Sequence, residues 1–558
     1  MTALLFIQSG GTLLVQSEHE DYDAARSTLL CFADLVQRLD PIHVYQVRPI
    51  TLWQAASLGF TARQVLSFLR KHAAHPIPFA VQQQVATEMS KWGQLILQQG
   101  AQNRIVLRGN ASLLNNLQEL SWIHKNTLEQ QHQGLVFSAH QRAELKRVLA
   151  SNGYPAVDRV GYRRAPSIPF ALALSTTLRD YQADAVNQFF EQSREQSGVV
   201  VLPCGAGKTV VGIGVLERLQ MHALVLTPNE TSAQQWSREL LARTTLTEED
   251  VSLYDPKRPL TPITITTYQR VAAKNRKGDR RHLTVLTNYP WGIVVYDEVH
   301  LLPAPLFRLA ADLQSARRLG LTATLVREDG LETEVFSLIG SKCYEAPWKQ
   351  LEAAGYLAPV RCVEVRTPLS REDVKLYEEA KPRERHRIAA QNPQKVELVK
   401  ELVAWHLGEH ILVIGHYLGS LEEVANALKA PLLTGKTSQE DREYWFEQFR
   451  QGNTRVLVLS RIANMAVDLP SASVAIQISG LFGSRQEEAQ RLGRLLRPKT
   501  QEGVFYTLVT RDTIEQKMAA HRQLYLLEQG YAYDIVNAEE VFSERVNARE
   551  VVGIPKRR

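Results

Sequence analysis

Apolar positions along this chain alternate between short β-branched runs and helical stripes. The runs VVVL (199–202), ALVLT (223–227), ITITTYQ (263–269) and IVVYDEVH (293–300) lack the polar alternation of a half-exposed strand, which predicts strands buried on both faces of a parallel sheet. From about residue 340 the pattern restarts in ILVIGHY (411–417), RVLVLS (455–460), SVAIQIS (473–479) and GVFYTLV (503–509), with amphipathic helices between. Ahead of both, LLFIQSGGTLLVQS reads as a hairpin around Ser9, Gly10 and Gly11. Helical periodicity follows in AARSTLLCFADLVQRL and in LWQAASLGFTARQVLSFLRKHA, the second split near Gly59 with Thr61 as N-cap of its later half. A smaller α/β pattern runs from about 91 to 157, with GQLILQQ, RIVLRG and GLVFSA as strands, and RVGYRRAPSIPFALAL reads as a linker. The expected organisation is an α/β docking domain (1–104), a small α/β domain (105–165), two parallel α/β domains (166–338 and 339–535) and a tail (536–558). The first 165 residues carry no catalytic constellation.

The chemistry concentrates where the first of these strands ends. After Val199–Leu202, Pro203 stops strand pairing, Cys204 follows, and Gly205 and Gly207 let the backbone turn around Ala206. Lys208 and Thr209 then open a helix with Val211, Val215 and Leu219 on one face. Strand, glycine turn and helix with Gly-Lys-Thr at the junction is a phosphate-cradling loop, in which Lys208 reaches the β- and γ-phosphates of ATP and Thr209 ligates Mg²⁺. Leu202 stands where the usual pattern has a further glycine. Asp297 and Glu298 end another buried strand; Asp297 suits the magnesium and Glu298 the polarising of an attacking water. Gln182, 26 residues before Lys208 and following Arg179, is either an adenine reader or a surface residue. Thr227, Thr267 and Tyr268 end strands and are candidate contacts to a nucleic-acid backbone, with Gly415, Thr434 and Ser460 as counterparts in the second repeat. The stretch 274–282, five lysines and arginines in nine residues, is a solvated loop or a nucleic-acid contact. Thr322 and Thr324 put two hydroxyls at a further strand end. Gln490, Arg494 and Arg497 share a short stretch, with the two arginines at i and i+3 able to face one anion such as a γ-phosphate, and Asp468 suits ribose hydroxyls.

Composition narrows this little. The 558 residues are 44% hydrophobic and 22% charged, ordinary for a globular protein of three or four domains. A net charge of +6 permits a nucleic-acid partner without requiring one. Cys31, Cys204, Cys343 and Cys362 are too dispersed for a metal knuckle or a disulfide framework. With no membrane-length apolar run and no signal pattern, the expectation is a cytoplasmic protein with no membrane partner.

Taken in order, PCGAGKT, DEVH, TAT and QRLGRLLRP resemble a superfamily 2 helicase with two tandem RecA-like motor domains. Arg327-Glu328-Asp329 in LGLTATLVREDG looks like the RED motif of the XPB family of DNA-repair helicases. SLIGSKCYEAPWKQLEAAGYLAPVRCVEV, QNPQKVELV and QISGLFGSRQEEAQRLGRLLRPK are similar to the same family, and QSGGTLLVQ with HVYQVRPITLWQAASLGF is similar to its bacterial members. The resemblance implies ATP-dependent, 3′-to-5′ DNA unwinding, with Gln182 reading adenine, Thr322, Thr324 and the RED residues coupling the lobes, and Gln490, Arg494 and Arg497 completing the site. It also implies a thumb-like insertion at about 368–391, whose mixed charge equally suits a solvated helical hairpin, and a damage-recognition-like domain at about 105–165. Ala466 stands where many superfamily 2 proteins have glycine. A duplex translocase, an ATP-gated clamp that recruits a nuclease, a transcription factor or another repair protein, and an RNA helicase are the rival readings.

Overall fold

The computed structural model describes residues 3–39, 41–101, 103–160, 165–191, 197–203, 205–274, 280–299, 313, 315, 317–323, 335, 336, 338–340, 342–346, 348–460, 472–480, 492 and 502–543, without the side chains of 23, 27, 38, 39, 383 and 525. Contacts divide the chain into two compact units, 1–203 with 207–346, and 347–558 with 204–206. Cys204, Thr324, Arg327, Glu328, Asp329, Asp468, Gln490, Arg494 and Arg497 lie outside the described residues, as do most of the 274–282 charge run and the last fifteen residues.

The first unit opens with an antiparallel sheet of β1 (Leu5–Ile7), β2 (Thr12–Gln16), β3 (Asp34–Leu39) and β4 (Ile42–Gln46), in the order β1-β2-β4-β3. The expected hairpin is β1–β2, with Gly11 at φ +79° in the left-handed region that the turn requires. The split helix is also present, as Pro49–Ser57 and Ala62–His72, and the Thr61 hydroxyl accepts from the Gln64 N–H. One helix expectation fails at its end. The Tyr22–Phe32 helix stops where Ala33 turns extended, and DLVQRL becomes β3 because it pairs along β4, a tertiary contact that overrides local helical periodicity.

Five further strands, β5 (Leu95–Gln99), β6 (Arg104–Arg108), β7 (Glu129–Gln131), β8 (Gly134–Ser138) and β9 (Ala156–Arg159), make a sheet ordered β7-β8-β6-β5-β9 around Leu97, Ile105, Leu107, Phe137 and Leu149. The pairing of β5 with β6 crosses the expected boundary at 104/105, so this domain begins near Leu95. The expected linker is a strap rather than a tether. Its Ile168 N–H donates to the Gln220 carbonyl at 3.0 Å, its Ala173 N–H donates to the Arg243 carbonyl at 2.7 Å, and Ile168 and Phe170 are buried.

The first parallel sheet contains β10 (Ser197–Val201), β11 (Ala223–Thr227), β12 (Val251–Leu253), β13 (Ile263–Thr267), β14 (Ile293–Asp297), β15 (Arg317–Thr322) and β16 (Lys342–Glu345), ordered β12-β13-β11-β14-β15-β10-β16. Because β16 pairs with β10, the first motor domain extends past the expected limit of 338. In the second unit β17 (Val360–Thr367), β18 (Ile411–Gly415), β19 (Leu432–Leu433), β20 (Val456–Ser460), β21 (Val474–Gln477), β22 (Gly503–Thr510) and β23 (Tyr533–Asn537) form another parallel sheet, ordered β19-β20-β18-β21-β22-β17-β23. Two tandem parallel α/β motor sheets after a smaller α/β region is the expected fold class. The tail boundary at 535/536 is displaced, since β23 continues to Asn537 and the Ala538–Ser543 helix buries Ala538 and Val541 in the second core. Within the expected insertion the Arg371–Glu379 helix buries no residue and the Pro382–Ala390 helix follows it. Tyr377 Oη accepts from the Ile514 N–H at 2.7 Å, and Thr510 Oγ1 donates to the Ala389 carbonyl at 2.7 Å. Among the described residues no helix is long and apolar enough to cross a membrane, and Cys31, Cys343 and Cys362 are unbridged.

Candidate nucleotide site

All strands of the first sheet are parallel, so their carboxyl ends share one edge. The phosphate-loop residues follow β10, Thr227 ends β11, Thr267 ends β13, Asp297 ends β14 and Thr322 ends β15. The loop has the predicted geometry, with Gly205 at φ +85° and Gly207 at φ +75°, and Lys208 is the first residue of the Lys208–Leu219 helix. Thr209 follows on that helix, where the positive end of the peptide dipoles lies. The Leu202 N–H donates to the Thr322 carbonyl at 3.0 Å, so the start of the loop is tied to the end of β15.

Lys208 Nζ is ion-paired with Glu298 Oε1, and both side chains are largely buried. Glu298 is held at φ +49°, a left-handed conformation that costs a non-glycine residue on the order of 1 kcal/mol. Asp297 is buried beside it; its Oδ2 accepts from Trp236 Nε1 at 3.0 Å, and its backbone carbonyl accepts from Tyr268 Oη at 2.7 Å. Burial first, and then the Glu298 charge, push the Asp297 carboxyl up to about 7, with Lys208 and the Trp236 hydrogen bond pulling the other way. Burial and the neighbouring carboxylate thus make the ionised form of Asp297 costly, and a cation held at this place would offset that cost.

Gln182 is buried against the loop: its Oε1 accepts from the Arg179 N–H at 3.0 Å, and a Cβ on Gly207 would lie 2.6 Å from its Nε2. The left-handed backbone at 207 favours glycine, and any Cβ there would also push the Gln182 amide aside. Of the two readings of Gln182, the surface one is thus excluded. Arg179 Nη1 donates to Tyr181 Oη at 3.3 Å.

The candidate backbone contacts divide. Thr227 is fully buried and its hydroxyl donates to the Asn229 and Thr266 carbonyls at 3.1 and 3.3 Å. The Thr267 hydroxyl caps the Tyr268–Ala272 helix, and Tyr268 is turned inward onto the Asp297 carbonyl, with burial raising its phenol well above the ordinary value. Of the three side chains, Tyr268 supports the acidic strand end, while the Thr227 and Thr267 hydroxyls are engaged by neighbouring backbone groups. In the second unit, Gly415 and Ser460 are register partners on adjacent strands and Thr434 follows β19 beside them, so the three meet at one sheet edge. Ser460 Oγ is buried without a hydrogen-bond partner among the described residues.

Trp236 and Gly212 are the site residues that sequence reading missed. A Cβ on Gly212 would lie 2.4 Å from Trp236 Cη2, so the glycine opens the space in which the indole reaches Asp297. The available signal was a glycine inside a helical stripe, which is unfavourable unless something packs closely against it. On an exposed helix Gly→Ala gains stability; here Gly212→Ala is expected to lose about 1–3 kcal/mol through overpacking. Thermal melting with near-ultraviolet dichroism of the indole checks this, and an unchanged melting temperature with an unchanged tryptophan signal would refute the contact.

Comparison with known proteins identifies the family. Residues 351–551 match the family model described as ERCC3/RAD25/XPB C-terminal helicase, 175–327 that of the type III restriction enzyme res subunit, and 5–151 that of a helicase conserved C-terminal domain. The chain is 45% identical over 545 residues to a Kineococcus radiotolerans protein described as DNA 3′-5′ helicase XPB, covering 96% of this chain and 97% of that one. A Mycobacterium tuberculosis protein of the same description is 42% identical over 548 residues, covering 97% and 99%. The Saccharomyces cerevisiae general transcription and DNA repair factor IIH helicase/translocase subunit XPB/SSL2 is 30% identical over 600 residues, covering 95% of this chain and 71% of that one. Identity at this level over nearly the whole length, together with the glycine loop and its acidic partners, places the chain in the XPB family of helicases.

Proposed function

We propose that this protein is an ATP-dependent DNA helicase that moves 3′ to 5′ and serves DNA repair. The observation that carries the reading is the pairing of Lys208 with Glu298 beside buried Asp297, at the mouth of a glycine loop in a parallel α/β sheet. The description of two relatives as DNA 3′-5′ helicases supports the substrate and the polarity. The donor set fits a magnesium–nucleotide. Gly205, Ala206, Gly207 and Lys208, with Pro203 and Cys204 ahead of them, would hold the phosphates; Thr209 and Asp297 would hold the metal; Gln182 and Arg179 would face the adenine. When bound, ATP supplies the phosphoanhydride bond whose hydrolysis drives movement, and Mg²⁺ offsets charge on its oxygens.

The chain's own residues then act in a definite order. Lys208 gives up its carboxylate partner when its ammonium turns to phosphate oxygens. Glu298 is left ionised at the strand end, where it accepts a proton from a water molecule. Trp236 and the Tyr268 contact keep Asp297 in place during this exchange. Thr322, hydrogen-bonded through its carbonyl to the loop at the end of β15, passes the change to Thr324 and the RED residues, which follow it in the sequence. Gly415, Thr434 and Ser460 grip the DNA backbone from the second sheet. The deciding experiment is unwinding of duplexes with a 3′ or a 5′ tail, alongside ATP hydrolysis with and without DNA. Strand release from 3′-tailed substrates alone is expected. Hydrolysis stimulated by duplex with no strand release would overturn the helicase reading in favour of a translocase.

A further inference from the structure

A cluster of buried charge lies away from the nucleotide site, where the 95–159 domain meets the first motor sheet. Arg142 Nε and Lys146 Nζ, one helical turn apart, both donate to Asp158 Oδ2, at 2.8 and 2.9 Å. All three side chains are less than a tenth exposed. Burial pushes Asp158 up, but Arg142 and Lys146 together outweigh it and hold its carboxyl well below the usual carboxylate range. The cluster does not end within its own domain. Arg142 Nη1 donates to the Ser315 carbonyl at 3.4 Å in buried surroundings, two residues before β15 begins. Ala143 belongs to the same apolar core as Leu313, Val335, Leu338 and Ile339, and Trp92 packs on Phe336 with ring centroids 5.3 Å apart. Arg318, the second residue of β15, is buried too and donates to the Leu338 carbonyl. These motor-lobe groups, Leu313, Ser315, Arg318 and 335–339, flank or belong to β15. The far end of β15 is Thr322, whose carbonyl holds the Leu202 N–H of the phosphate loop.

We propose that Arg142, Lys146 and Asp158 are positioning residues: they dock the small N-terminal domain on the base of β15, and the docked domain sets where Thr322 stands beside the phosphate loop. A strand of six residues spans roughly 20 Å, so the domain acts on nucleotide turnover from a distance, through a rigid element. Both parts fall in one compact unit, as a dock requires.

The inference rests on the ATP-dependent helicase reading for its readout. ATP hydrolysis of the full chain is measured with and without saturating DNA for wild type, Arg142→Ala and Arg142→Lys. In Arg142→Ala the stimulation by DNA is expected to fall about tenfold, within the usual span of coupling between sites, while KM for ATP stays within about twofold. Arg142→Lys should restore most of the stimulation. Stimulation equal to wild type in a folded Arg142→Ala protein overturns the dock. Absence of stimulation in the wild type overturns the helicase reading instead. If Arg142→Ala does not fold, hydrogen exchange of the wild-type chain decides. Amides of 142–151 and 317–322 opening as one cooperative unit, with one urea dependence, supports the dock, and separate opening overturns it.

Discussion

Glu298→Gln is expected to keep nucleotide binding and to lower hydrolysis by about 10²–10⁴-fold, the range that a positioned general base contributes. The amide keeps the size and shape of the carboxylate, so the left-handed turn at this position survives. Its carbonyl oxygen still accepts from Lys208, but without charge, and this should ease release of the ammonium toward phosphate. The same change removes the second-largest cause that holds Asp297 near 7, so Asp297 should ionise at lower pH and bind a divalent cation at least as well as before. Lys208→Ala makes the contrasting case. It leaves Asp297 and Glu298 without the ammonium between them and takes away the charge that meets the phosphates. Both binding and turnover should be lost. Isothermal titration with a non-hydrolysable ATP analogue and Mg²⁺, beside steady-state hydrolysis, separates the two variants. Wild-type turnover in Glu298→Gln would remove it as the base, and turnover surviving in Lys208→Ala would remove the whole assignment.

What could be read from the sequence was chemistry confined to a few consecutive residues. The glycine loop, the Asp297-Glu298 pair and the buried strands announce themselves because strand, turn and helix follow within about a dozen positions. Even the N-cap at Thr61 is a four-residue pattern. The missed features depend on residues far apart in the chain. Trp236 matters because Gly212 clears space for it and β14 brings Asp297 to it. Thr227, Thr267 and Tyr268 looked like outward polar ends because their position on strands was legible and their inward partners were not. DLVQRL kept a helical spacing and became a strand only through β4. The proline-rich segment at 165–173 had the composition of a tether, yet its backbone donors found carbonyls on the first motor domain. The Arg142 junction left no local signature, since a charged helix face is ordinarily solvated.

The same distance dependence underlies the second large effect, in the unit that bears the Arg371–Glu379 and Pro382–Ala390 helices. Lys395→Met is expected to destabilise that unit by about 3–5 kcal/mol, as removal of one partner from a buried ion pair does. Lys395 and Glu515 are both about 1% exposed. The ammonium donates to both Glu515 oxygens at 2.7 Å and to the Ile478 carbonyl at 3.0 Å, while Glu515 Oε2 also accepts from the Thr510 N–H at 2.9 Å. One pair thus ties the start of the Gln394–Trp405 helix to the residue after β21, to the end of β22 and to the start of the Ile514–Glu528 helix. Thr510 and Ile514 in turn hold these two helices through Ala389 and Tyr377. Lys395→Met leaves a buried carboxylate facing no ammonium and a carbonyl with one donor fewer. For a unit of this size the loss is a drop of roughly 10 °C in melting temperature. Methionine at 395 with leucine at 515 should recover much of it, because the cost lies in the charge left alone. Calorimetry of the full chain, read at the transition of the second unit, tests both variants. A shift below about 2 °C in Lys395→Met would mean that the pair is not what holds these elements together, and the packing of β17, β21 and β22 alone would then have to.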